Sequence, residues 1–278
     1  MATIGKTRRP MSPTPRGVLH RLPDADLQYR RHAPPPALAE WVEHFWSVRW
    51  EVREPRLQET LPHPNVHVVV EAGRAEVAGV QTARFARTLA GHGRAFGIKF
   101  RAGAFRPLLG RPVSALTDRV EPVAALFGED EARALAGLLQ HEEEAATVDA
   151  ACRHLAGRLP AASDPHAVLA GRIVDSIVDD RELRGVAELA RRCAMTPRAL
   201  QRLFNDYVGV GPKWVIQRYR LHEAIAQVQQ GRAVAWAELA QELGYYDQAH
   251  LITDFRRLVG RTPAEYARAH QDEAGRAE

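Results

Sequence analysis

At 278 residues the chain is long enough for two domains, and its 45% apolar and 26% charged residues set it apart from fibres and disordered chains. Two cysteines, Cys152 and Cys193, exclude a disulfide-stapled fold and point to a reducing compartment. The net charge of +4 is spread over both halves, so patterning rather than bulk charge has to carry any binding of nucleic acid. No apolar run approaches the roughly 20 residues that span a bilayer, and the N-terminus never becomes apolar enough for a signal peptide. A soluble, cytoplasmic protein with no membrane partner is expected.

Residues 1–24 read as a flexible basic arm, with Lys6, Arg8, Arg9, Arg16 and Arg21 among several prolines. From there to about residue 160, alternation predicts strands at Trp41 to Trp50, Val66 to Glu71, Ala75 to Val80, Ala86 to His92 and Ala95 to Phe100. Gly73, Gly79, Gly91 and Gly93 read as the turns between them. From about Ala102 the spacing becomes helical, and Glu129 to Arg158 is rich in Ala, Leu and Glu. The Pro/Ser/Asp run Pro160 to Pro165 reads as a connection, placing a linker at 161–169. A helical domain is expected at 170–268, followed by a flexible tail at 269–278.

The helical part contains an internal repeat. Ala187-Glu188-Leu189-Ala190 recurs 50 residues later as Ala237-Glu238-Leu239-Ala240. Farther on the offset is 51: Leu200 matches Leu251, Phe204 matches Phe255, Gly209 matches Gly260 and Pro212 matches Pro263. Copy one predicts a helix over Gly185 to Cys193, a turn at Ala194-Met195, and a second helix capped by Thr196 and started by Pro197. Gly209 stops that helix. Copy two predicts a helix from Trp236 to Leu243, a turn at Gly244-Tyr245, and a helix from the Asp247 cap to Gly260. Helix, short turn, helix is the helix-turn-helix plan, whose second helix enters the major groove. Arg198, Gln201 and Arg202 form one outward stripe, with side chains suited to guanine and adenine edges.

Residues 172–268 resemble the double helix-turn-helix domain of AraC/XylS-type transcription regulators. The resemblance is strongest through Gly244-Tyr245-Tyr246-Asp247-Gln248-Ala249-His250-Leu251, Phe255-Arg256-Arg257 and Gly260-Arg261-Thr262-Pro263-Ala264-Glu265-Tyr266. It implies an α+β chain with a small β-rich N-terminal domain carrying helices, then an all-α double helix-turn-helix domain that reads successive major grooves of promoter DNA. Carried over by position, Arg198, Gln201 and Arg202 read bases from the first unit, and Gln248, Ala249, Ile252 and Thr253 from the second. Thr253 departs from the family, which often has Arg there. Lys213, Arg218, Arg256 and Arg257 are the expected phosphate contacts, which orient without specifying sequence.

The N-terminal part (25–160) resembles the small mixed α/β domain found ahead of this module in a subset of the family. Tyr29, Ala33 to Pro36, Phe45-Trp46, Leu61 to Pro64, Gly97 to Ala104 and Leu116 to Val120 carry that likeness. By analogy it senses an effector, of unknown identity, or mediates self-association. RNA polymerase and a second copy of the chain, paired through helices of 121–158, are candidate partners.

A rival reading gathers His63, His67, Glu71 and His92 into a cupin-like metal set, making the chain a metal-dependent enzyme or sensor with a helical interaction module. The spacing of these residues is poor, so no metal, no cofactor and no catalytic residue is assigned. Trp41, Phe45, Trp46, Trp50 and Phe100 either line an apolar pocket or build core. Cys152 and Cys193 are expected as buried small hydrophobes.

Overall fold

A computed structural model of the chain describes residues 26–274, except Arg181, Arg184, Gly231, Arg232 and Gly244, with only the backbone described over 270–274. The expected basic arm, Gly244 of the second expected turn and the last four residues of the expected tail lie outside the described residues.

The N-terminal domain is a six-stranded antiparallel sheet ordered β1-β2-β5-β3-β4-β6. Its strands are β1 (Leu27–His32), β2 (Val42–Thr60), β3 (His67–Glu71), β4 (Arg74–Ala78), β5 (Phe85–Phe100) and β6 (Val120–Pro122). Phe45 lies opposite Ile98, and Ile98 opposite Val68, so one face gathers a continuous apolar stripe. That face is buried together with Leu135 of α3 (Glu129–Ala136), Leu138, and Ala151 and Leu155 of α4 (Glu144–Ala156). Each large side chain buried there contributes about 1.5–3 kcal/mol. Helices α1 (Arg106–Leu109) and α2 (Val123–Phe127) are short connectors.

Two strands expected over 86–100 are one. Gly91 and Gly93 sit inside β5 rather than in a turn. Gly91 has a φ of +58° and faces Val52, beside the point where the β2–β5 register shifts. Gly93 faces Trp50, whose indole occupies the space a Cβ would need. The glycines therefore serve a bulge and a close packing contact. Gly73 does make the expected turn: Ala72 (φ 47°) and Gly73 (φ 75°) close β3 onto β4 with two left-handed residues.

The C-terminal part is helical: α5 (Pro165–Asp179), α6 (Val186–Arg192), α7 (Pro197–Leu203), α8 (Pro212–Gln229), α9 (Trp236–Glu242), α10 (Gln248–Val259) and α11 (Pro263–Ala274). Helix α5 starts inside the stretch expected as linker because Asp164 caps it, accepting from the His166 amide at 2.8 Å. Helix α11 continues past 268 into the stretch expected as tail. No described helix is long and apolar enough to cross a membrane.

Candidate nucleic-acid interface

The repeat appears in the backbone as two matching helical pairs. Helices α6 and α9 are both seven residues long and start 50 residues apart. In each copy the turn is tied by the same bond: the Met195 amide donates to Ala190 O at 2.9 Å, and the Tyr245 amide to Ala240 O at 3.0 Å. Each second helix is capped from its third amide, Ala199 to Thr196 Oγ1 at 3.1 Å and His250 to Asp247 Oδ1 at 2.8 Å. Helix α7 continues as a π turn over Phe204–Val208 and ends at Gly209 (φ +95°); α10 ends at Gly260 (φ +80°). Leu200 and Phe204 in one copy, and Leu251 and Phe255 in the other, are fully buried.

Helix α8 joins the two copies and is shared between them. Val215, Ile216 and Tyr219 complete the core of the first unit, whereas Leu221, Ile225 and Val228 complete that of the second. Arg220, passed over in the sequence, is buried and donates to the carbonyls of Ile177 and Asp180, anchoring α8 to the end of α5.

On α7, Arg198, Gln201 and Arg202 are all exposed. Gln201 donates to Asn205 Oδ1 at 2.9 Å. On α10, Gln248, Ala249 and Thr253 are exposed and Ile252 is half-buried. Thr253 spends its hydroxyl on Ala249 O at 2.9 Å. Lys213 is exposed in the first turn of α8. Arg256 is exposed near Glu265, and Arg257 is exposed but held by Asp254 Oδ1 at 2.7 Å.

Residues 30–122 match a family described only as a domain of unknown function (DUF6597), and residues 189–269 match a helix-turn-helix domain family. A putative AraC-like transcription regulator of Streptomyces lividans is 33% identical over 81 residues, 29% of this chain and 26% of that protein. The HTH-type transcriptional regulator Rv1931c of Mycobacterium tuberculosis is 33% identical over 84 residues, 30% of this chain and 32% of that protein. The C-terminal region is an AraC-type helix-turn-helix domain. The chain thus matches only about a quarter to a third of the length of these relatives. Among solved structures, ToxT of Vibrio cholerae O395 overlaps loosely (TM-score 0.38, 10% identity, 87% of this chain and 97% of that one). So does the C-terminal domain of the response regulator yesN of Fusobacterium nucleatum (TM-score 0.31, 18% identity, 36% of this chain and 98% of that one).

Within the AraC-type domain, Arg218 overturns one expectation. It is 2% exposed, so it is no surface phosphate contact. Its guanidinium lies 4.5 Å from the Trp214 ring centroid, and Nη2 donates to Thr82 O at 2.9 Å, in a loop of the N-terminal domain. The N-terminal domain also reaches both helix-turn-helix units. Thr117 donates to Gly209 O at 2.6 Å, and Arg106 pairs with Asp206 at 2.9 Å, both at the end of the π turn that continues α7. Leu61 is buried in the core of the second unit, and Arg84 lies against Gly260. His63 packs against His222 with the rings tilted by 30° and their centroids 4.5 Å apart.

The residues grouped as a metal set are therefore dispersed. His63 sits at the domain junction, while His67 accepts from Trp46 Nε1 at 3.2 Å, its pKa lowered to about 3 by burial and by nearby Lys99 and His44. Glu71 pairs with Arg87, and His92 faces Glu51 across β2 and β5. Trp41, Phe45 and Phe100 belong to the core, whereas Trp46 and Trp50 lie half-buried over Gly97 and Gly93. Cys152 and Cys193 are half-buried rather than buried, and desolvation pushes both thiols up.

A separate, part-buried network joins β2 to β5. Lys99 and Asn65 both donate to the Glu43 carboxylate, at 2.8 and 3.0 Å. Burial alone raises the Glu43 pKa, but Lys99 and His44 outweigh it and hold the carboxyl well below its usual range. Its partners are all internal, which fits a strut between β2 and β5.

Proposed function

We propose that the chain is a cytoplasmic, sequence-specific DNA-binding transcription regulator of AraC type, in which α7 and α10 read successive major grooves of a promoter. The observation that carries this reading is the duplicated, identically capped pair of helices, with Arg198, Gln201 and Arg202 exposed on the first reading helix. Arg198 and Arg202 supply forks for guanine, and Gln201 an amide for adenine. Helix α10 offers Gln248 and the smaller Ala249, Ile252 and Thr253, suited to thymine methyls and to positioning. Lys213, Arg256 and Arg257 supply phosphate contacts, so affinity falls with salt. The N-terminal domain, which touches both units, transmits an effector signal to them.

Selection of binding sites from random duplexes tests the assignment. The wild-type chain enriches a consensus, and Arg202→Ala weakens binding to it by about 1–3 kcal/mol while relaxing preference at one base pair. An unchanged consensus and affinity in Arg202→Ala removes α7 from the reading role.

A further inference from the structure

Between α8 and α10 lies a cleft of about 280 Å3, lined by Lys213, Trp214, Arg218, Tyr245, Asp254 and Arg257 among others. We propose that this cleft binds a small oxyanion, phosphate or carboxylate, through Arg218 and Lys213.

Three observations support the site. The first is Arg218 itself. It is the largest of the fully buried side chains, yet its Nε and Nη1 have no hydrogen-bond partner among the described residues. A buried charge with idle donors is costly and calls for an acceptor that the described residues do not supply. Burial draws the Arg218 pKa down to about 10; Asp254 opposes that shift and Arg257 adds to it.

The second is the charge balance. Three cations line the cleft against one carboxylate, and Asp254 is already engaged by the Tyr245 hydroxyl at 2.6 Å and by Arg257 at 2.7 Å. Lys213 has no ion-pair partner among the described residues and is exposed. It lies in the first turn of α8, which has no acidic residue and no side-chain cap, so the positive end of an 18-residue helix adds to the field.

The third is size. The volume lies just below the ~300–1,000 Å3 of drug-sized ligand pockets, enough for a small phosphorylated or carboxylated metabolite. The Trp214 and Tyr245 rings supply apolar wall. Arg218 also donates to Thr82 O of the N-terminal domain, so this guanidinium joins the cleft between α8 and α10 to that domain.

The site is independent of how α7 and α10 read bases; its regulatory consequence rests on the DNA-binding reading. The test is thermal unfolding of the full chain titrated with inorganic phosphate at constant ionic strength, chloride making up the difference. The wild-type midpoint climbs by a few degrees with phosphate and not with chloride, and both Arg218→Met and Lys213→Ala lose the climb. Lys213→Ala alters a surface residue, so it keeps the test decisive if Arg218→Met folds poorly. A climb that persists undiminished in Lys213→Ala, an adventitious ion only, overturns the proposal.

A second arm separates the two classes of oxyanion, with acetate replacing phosphate in the same titration. A phosphoryl-selective site leaves the midpoint flat in acetate, and a site open to carboxylates raises it there as well. A midpoint flat in both titrations sinks the oxyanion site, yet leaves base selection by α7 and α10 standing.

Discussion

Asp164 shows how one side chain joins two elements. It caps α5 through the His166 and Ala167 amides and accepts the Tyr207 hydroxyl at 2.8 Å. Desolvation pushes its pKa up, but the Tyr207 hydroxyl and the two amides outweigh that and hold it below the ordinary aspartate value. A depressed folded-state pKa gives stability that is fully present above the unfolded value, about 3.9, and is lost as pH falls through the folded value. Tyr207→Phe should therefore lower stability above about pH 4–5, with the gap from wild type narrowing at more acid pH. Urea unfolding of both chains between pH 3 and 6 checks this, and a gap independent of pH would refute it. The capping role of Asp164 was legible only in hindsight, since Asp-Pro there reads equally as a connection. Arg218 and Arg220 were not legible at all. Their burial depends on packing against Thr82 and the end of α5, distant in the chain, and local spacing places any Arg on a helix surface.

Among the elements, the repeat was the clearest signal in the sequence. Leu200, Phe204, Leu251 and Phe255 keep helical spacing, and the caps Thr196 and Asp247 stand where α7 and α10 begin. Both hydroxyl and carboxylate accept the amide three residues on. Replacing either by Ala costs about 0.5–2 kcal/mol, and replacing it by Gly costs only a few tenths. Chemical unfolding of Thr196→Ala and Thr196→Gly measures both losses; stability equal to wild type in both would show that the cap bond contributes nothing. The long strands were less legible. Gly91 and Gly93 carry the composition of a turn, and only pairing with Val52 and Trp50 makes them part of β5. Thr253 remains the weak point of α10, its hydroxyl turned back onto Ala249 rather than outward.

At the scale of the molecule, the N-terminal domain bridges the two units rather than sitting beside them. Thr117 meets Gly209 and Arg84 meets Gly260, the two glycines that follow α7 with its π turn and α10 and that match in the repeat. Together with Leu61 in the second core and His63 on His222, these contacts tie the N-terminal domain to both helical units. None of this is visible in the chain order, because each contact joins residues far apart in sequence. The central claim is that α7 and α10 act together on one duplex. Methylation protection of a selected duplex, with the wild-type chain and with Arg202→Ala and Gln248→Ala at saturating protein, tests it most directly. Two protected major-groove patches centred about 10–10.5 base pairs apart are predicted, Arg202→Ala weakening one and Gln248→Ala the other. A single patch, or protection lost from the same bases in both variants at saturating protein, would contradict it.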